Sequence, residues 1–169
     1  APWQQSVIAN LFGWQRLDGT RRYREMLLFV PRKNGKTALA AGIVLYMLFC
    51  EKELGMELYS AAADAEQASL VFAHAKGMIR QDPELNSRCQ IYETAQSIVL
   101  HTSMSSYKVV SSGPRTKHGF NSNLVIIDEL HALPDRSLVD VLITSTGARK
   151  QPLIVHCTTC DFARPSICN

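Results

Sequence analysis

Short, nearly continuous apolar runs punctuate this chain: Glu25 to Val30, Glu57 to Ala62, Leu124 to Asp128 and Leu153 to Thr158. Runs of this length between polar turns predict strands, and their lack of polar alternation predicts burial on both faces. Longer segments lie between them. Pro2 to Phe12 predicts a short helix ending at Gly13. Thr37 to Lys52 predicts a helix, with Gly55 as a candidate C-cap. Asp64 is a natural N-cap, and Gln67 three residues on would complete a capping box. That helix is expected to reach about Gln81, where Asp82-Pro83 ends it. Gln90 to Val110 holds short alternating runs, expected as strands of a hairpin or meander. Gly19 to Arg22 reads as a polar turn, and Ser111 to Asn123 as a loop rich in Ser, Gly, Pro and Asn. Another helix is expected from about Asp135. Strands alternating with helices imply an α/β architecture: a central, mostly parallel sheet flanked by helices in three layers.

Composition narrows the picture a little. The 169 residues suit one domain with a proper core, so one domain over residues 1–169 is expected. The abrupt start at Ala1-Pro2-Trp3, and a stop just past a strand, suggest an excised domain. The apolar share of 46% and charged share of 20% are ordinary for a globular protein. A net charge of +3 is too weak to argue for nucleic acid. The longest apolar run, Ala38 to Cys50, is shorter than the roughly 20 residues of a membrane span and predicts a buried helix. Cysteines at 50, 89, 157, 160 and 168 are odd in number, and no signal peptide precedes them. Free thiols in a reducing compartment are expected. Cys157 and Cys160 form a CxxC without the second pair that a zinc ribbon needs.

Candidate chemistry begins at Gly35-Lys36-Thr37, which follows a strand and opens a helix. Glycine lets backbone N–H groups approach phosphate oxygens, lysine places positive charge on the β and γ phosphates, and the threonine hydroxyl suits Mg²⁺. The usual phosphate loop also has a glycine five residues earlier, where this chain has Val30. A polar turn without a ligand can carry the same three letters. A second signal is Leu124 to Glu129, an apolar strand that delivers two carboxylates to its C-terminal end. In parallel α/β sheets ligands bind at that edge. Asp128 would hold Mg²⁺, through water, and Glu129 would orient the attacking water. Two acids that merely start a loop are the plainer alternative.

At this point several blocks in order resemble one family, the large terminases of tailed bacteriophages. Pro31-Arg32-Lys33-Asn34-Gly35-Lys36-Thr37 resembles their Walker A loop, in which an arginine-bearing segment replaces the first glycine. Tyr59 to Ala68, Lys117 to Asn121, Asp128-Glu129-Leu130-His131-Ala132, Gly147 to Leu153 and Thr158-Thr159 are similar to further blocks. The resemblance covers nearly the whole chain.

The resemblance implies a P-loop ATPase fold of the ASCE, RecA-like kind. It implies a motor domain that hydrolyses ATP with Mg²⁺ to move double-stranded DNA into a procapsid. Trp3 and Gln4 would recognise adenine. Arg32, Lys33, Asn34, Gly35, Lys36, Thr37 and Ala38 would line the phosphates, with Arg32 on the γ-phosphate. Thr37 and Asp128 would hold the metal, and Glu129 and Lys36 would serve catalysis. Thr158 and Thr159 would couple hydrolysis to DNA grip, although Cys160-Asp161 stand where the family usually has Ala-Gly. Arg115, with Arg149 as the alternative, would be the arginine finger offered to a neighbouring subunit. His131 is expected to be structural. Implied partners are the portal protein, the small terminase subunit and further copies in a ring, with the isolated domain monomeric. The expected place is the host cytoplasm, off the membrane. The family's nuclease centre has no counterpart in these acids. Competing readings are a superfamily-2 helicase domain, which needs a second RecA-like domain, and a nucleotide-binding module without turnover, against which an intact Glu129 argues. Replacing the phosphate-loop lysine, Lys36→Ala, is expected to weaken nucleotide binding. Unchanged affinity by calorimetry would refute the phosphate-loop assignment.

Overall fold

Four of the apolar runs become neighbours in one sheet, where the inner strands are covered on both faces. The computed structural model describes residues 1–111, 119–133 and 135–159. Chain order is α1 (Pro2–Gly13), β1 (Glu25–Phe29), α2 (Lys36–Cys50), β2 (Glu57–Ala62), α3 (Ala65–Gln81), α4 (Pro83–Arg88), β3 (Gln90–Tyr92), β4 (Ser97–Leu100), β5 (Ser105–Ser111) and β6 (Ser122–Ile127). A 3-10 turn (Leu130–Ala132), α5 (Ser137–Thr144) and β7 (Leu153–Thr158) follow. The strand order is β1-β7-β6-β2-β5-β4-β3. The pairs from β1 across to β5 are parallel, and β5, β4 and β3 form an antiparallel meander at the far margin.

Side-chain alternation sorts the core into two halves. On β6, Leu124 and Ile126 join Leu58 of β2 and the apolar residues of α1, α2 and α3 on one face. Val125 and Ile127 join Tyr59, Ala61 and the α5 residues Leu138, Val139 and Leu142 on the other. All six residues of β6 are buried. Helix α2 is apolar nearly all round, and nine of its residues are buried, as a helix sandwiched between sheet and α3 requires.

Several expectations shift. β1 lies at the sheet margin, with Leu27 63% and Phe29 58% exposed. An apolar run cannot reveal its place in the strand order, so the exposure of β1 is not readable from it. Gly55 is not a C-cap: α2 ends at Cys50, and Gly55 takes φ +63 in the turn before β2, its N–H donating to the Ser103 carbonyl at 2.8 Å. Asp82-Pro83 ends α3 and also starts α4, since Asp82 caps the N–H groups of Glu84 and Leu85 and proline suits a first helical turn. Asp64 accepts from the Gln67 N–H at 2.8 Å, as its capping role requires.

Two arginines tie loops together at the end of the sheet where β7 begins. Arg21, 4% exposed, pairs with Glu51 and donates to the Gln151 carbonyl. Arg149 donates to the Asn121 carbonyl at 3.0 Å, the Gly55 carbonyl at 2.8 Å and Glu53 at 3.2 Å. Truncating the central strand, Ile126→Ala, is expected to lower stability by about 2–5 kcal/mol. Denaturant unfolding checks this, and a wild-type midpoint would contradict a core centred on β6.

Candidate active site

Three parallel strands end side by side, and the segments that leave them supply the chemistry. The register sets Phe29 of β1 against Thr158 of β7, and Ile127 of β6 against His156. Residues just beyond β1, β6 and β7 therefore crowd one sheet edge. The Val30 N–H donates to the Thr158 carbonyl at 3.4 Å, anchoring the base of the phosphate loop. The loop closes on itself through Asn34, whose amide donates to the carbonyls of Pro31 and Arg32, both at 3.3 Å. It needs left-handed backbone at Lys33 (φ 64) and Gly35 (φ 78). Gly35 is also crowded, since a Cβ there would meet Gln4 Nε2 at 3.1 Å. The Leu39 N–H donates to the Gly35 carbonyl, starting α2 with Thr37 and Ala38 in its first turn.

Lys36 is 7% exposed, and its Nζ donates to Glu129 Oε1 at 3.2 Å across the cleft. Glu129 itself takes left-handed backbone, φ 51 and ψ 52, which turns its side chain back toward the loop. Its other oxygen, Oε2, accepts from Thr159 Oγ1 at 3.4 Å and lies 3.4 Å from His131 Nδ1. Thr158 and Thr159 are 2% and 3% exposed. Asp128, 2% exposed, is held by its N–H to the Ala61 carbonyl, and its Oδ1 accepts the Glu129 N–H at 3.1 Å. Burial pushes the Asp128 carboxyl up from the usual range, and the adjacent Glu129 charge pushes it further; Lys36, the Glu129 N–H and the Gln67 side chain act against this. Buried Asp128 Oδ2 has no hydrogen-bond partner among the described residues. Among the described residues Lys36 is the one cation paired with the acidic pair, and it contacts Glu129 rather than Asp128 Oδ2. A divalent cation fits that unpartnered oxygen, with Thr37 half-buried beside Lys36 as a second donor.

Two cavities open on this edge. One of ≈ 260 Å³ runs along the loop past Lys33, Lys36, Thr37 and His74. The other, of ≈ 380 Å³, reaches Asp64, Gln67 and His131, and Arg32 and Glu129 border both. Among the anticipated site residues, Arg32, Lys33, Asn34, Gly35, Lys36, Thr37, Ala38, Asp128, Glu129, Thr158 and Thr159 gather here. Gln4 joins them by donating to the Gly35 carbonyl at 3.4 Å, while Trp3 packs half-buried against the core. Arg115 lies outside the described residues, as do Lys117, His118 and Cys160. Arg149 does not join: its guanidinium is occupied at the opposite end of the sheet. Cys157 is buried, and burial first, then Asp128, pushes its thiol up to about 12.

His131, Gln67 and His74 are additions. Gln67 and His74 stand seven apart on α3, a spacing that places both on one helix face and was legible in the chain. His131 was expected to be structural from its place after the acidic pair; its partner Thr158, 27 residues away, was not readable.

A strand, a left-handed loop around a lysine, a helix, and a facing acidic pair define a P-loop ATPase. The model of one family, the ATPase domain of the terminase large subunit, matches residues 2–169. This chain belongs to that family, whose members are ATP hydrolases. The large terminase subunit of Enterobacteria phage HK97 is 32% identical over 136 residues, 79% of this chain and 27% of that protein. The crystal structure of the HK97 bacteriophage large terminase matches with TM-score 0.82 and 30% identity, over 94% of this chain and 33% of the other. The large terminase ATPase domain of Thermus phage P74-26 shares the fold at TM-score 0.68 and 16% identity, over 90% of this chain and 68% of that one. The large terminase of another thermophilic bacteriophage, solved with ATP-gamma-S, matches at TM-score 0.57 and 13% identity, over 91% of this chain and 36% of that one. The chain thus spans about a third or less of the HK97 relative.

Neutralising the strained acidic pair, Asp128→Asn, is expected to stabilise the nucleotide-free, magnesium-free protein by on the order of 1 kcal/mol, because it removes a buried charge with an unmet oxygen. A lowered melting midpoint would contradict that account.

Proposed function

We propose that this chain, as one domain over residues 1–169, is the ATPase motor of a phage large terminase and drives double-stranded DNA into a procapsid. The observation that carries the reading is the Lys36–Glu129 contact of 3.2 Å, with Asp128 and Thr37 beside it. Lysine, acid pair and hydroxyl share one small cleft, as one triphosphate and its metal demand.

ATP would lie along the loop, its phosphates cradled by Lys33, Asn34, Gly35, Lys36, Thr37 and Ala38. Lys36 would leave Glu129 for the β and γ phosphates, and Arg32 at the rim would face the γ-phosphate. Trp3 and Gln4 would sit at the base, with Gln4 close enough to the loop to sense its position. Asp128 and Thr37 would hold Mg²⁺, whose charge offsets the charge developing on the phosphoryl oxygens. Freed of Lys36, Glu129 would accept a hydrogen bond from the attacking water. Thr158 and Thr159 support a coupling role because they sit between loop and acid. Arg115 is the proposed trans arginine, offered to the next subunit of a ring on the portal protein, with the small terminase subunit as a further partner. The isolated domain is proposed to be monomeric, and the site of action to be the host cytoplasm. No helix among the described residues is long and apolar enough to cross a membrane.

The expected outcome for Glu129→Gln is retained ATP binding and abolished hydrolysis. Hydrolysis at the unmutated rate would remove Glu129 from the catalytic role. Mixed rings of Arg115→Ala and Glu129→Gln subunits would show rescue if Arg115 acts in trans, and their inactivity in every mixture would count against it.

A further inference from the structure

His131 sits on the 3-10 turn after the acidic pair, 8% exposed, with its Nδ1 3.0 Å from Thr158 Oγ1 and 3.4 Å from Glu129 Oε2. An ionised carboxylate only accepts, so Nδ1 is attractive to Glu129 only when it carries a proton. The Thr158 hydroxyl lies 3.4 Å from the Thr159 carbonyl and can direct its own proton there. In the Nδ1–H tautomer the imidazole donates to Thr158 Oγ1 and presents a partial positive charge to Glu129 Oε2. Thr159 Oγ1 donates to the same Glu129 oxygen at 3.4 Å. One oxygen of Glu129 is therefore held from the β7 side, and the other by Lys36.

We propose that His131 is a positioning residue. Its imidazole, hydrogen-bonded to Thr158 Oγ1 and 3.4 Å from Glu129 Oε2, confines that oxygen and ties it to Thr158, whose carbonyl also receives the Val30 N–H at the base of the phosphate loop. When Lys36 turns to phosphate, Oε1 is released to face water while Oε2 stays fixed. From the 3-10 turn, the imidazole touches both the acid and β7. This rests on the reading of Glu129 as the group that orients water.

The test uses the full chain, measuring kcat and KM for ATP hydrolysis, and nucleotide affinity by calorimetry. His131→Ala is expected to lower kcat by up to about 100-fold, the scale of a misplaced catalytic group, with affinity unchanged. His131→Asn carries an N–H one bond from Cγ, where Nδ1 stood, and is expected to restore most of kcat. His131→Gln, whose amide lies one bond further out, is expected not to, and it stands in if the alanine variant fails to fold. Combining His131→Ala with Thr158→Val is expected to be no worse than the stronger single change, because both break one link. A wild-type kcat in the alanine or glutamine variant would overturn the proposal. So would equal loss of kcat and affinity without rescue by asparagine, or an additive double variant. If Glu129→Gln hydrolyses ATP normally, the Glu129 reading itself has failed. If Glu129→Gln is dead while His131→Ala is fully active, only the positioning role has.

Discussion

A lysine and a glutamate that are 93 residues apart meet across the end of a parallel sheet, and the rest of the architecture serves that meeting. Each belongs to a segment that leaves a different strand at the same margin. The strands must be parallel for their ends to coincide, and they must be deeply buried for those ends to hold still. β6 meets both conditions, with every side chain enclosed and parallel neighbours on either side. The helices on the two faces make that enclosure possible, so the packing is the scaffold that fixes the distance between charges.

Two adjacent carboxylates, one nearly sealed from water, have Lys36 as the one buried cation beside them among the described residues. Such a group is costly alone and far less so when a cation and a phosphate chain complete it. Lys36 offsets part of that cost by holding Glu129 at 3.2 Å. The threonines at the end of β7 adjoin the same contact: one touches the acid and the other touches the loop through its backbone.

Much of this was legible in the chain. Strand and helix positions followed from apolar run length, because a buried strand needs its whole run apolar. The loop and the acidic pair carried their own residue chemistry. What could not be read was order within the sheet: β1 resembles a central strand yet lies at the margin, because hydrogen-bonded neighbours leave no local imprint. Arg149 is a similar case. A lone arginine near a strand gives no sign of whether it faces a partner or, as here, three acceptors of its own molecule. His131 was read as structural from its place after the acidic pair, but its partner, a threonine far along the chain, could not be.

The left-handed backbone at Glu129 carries a consequence for how this turn can change. A side-chain-bearing residue pays of order 1 kcal/mol or more to sit there, and glycine would relax into it freely. The most comfortable occupant of the position is therefore one with no carboxylate at all. Relaxing the backbone at this turn would therefore cost the carboxylate that Lys36 contacts, and the tightly packed β6 absorbs that tension by holding the turn in place.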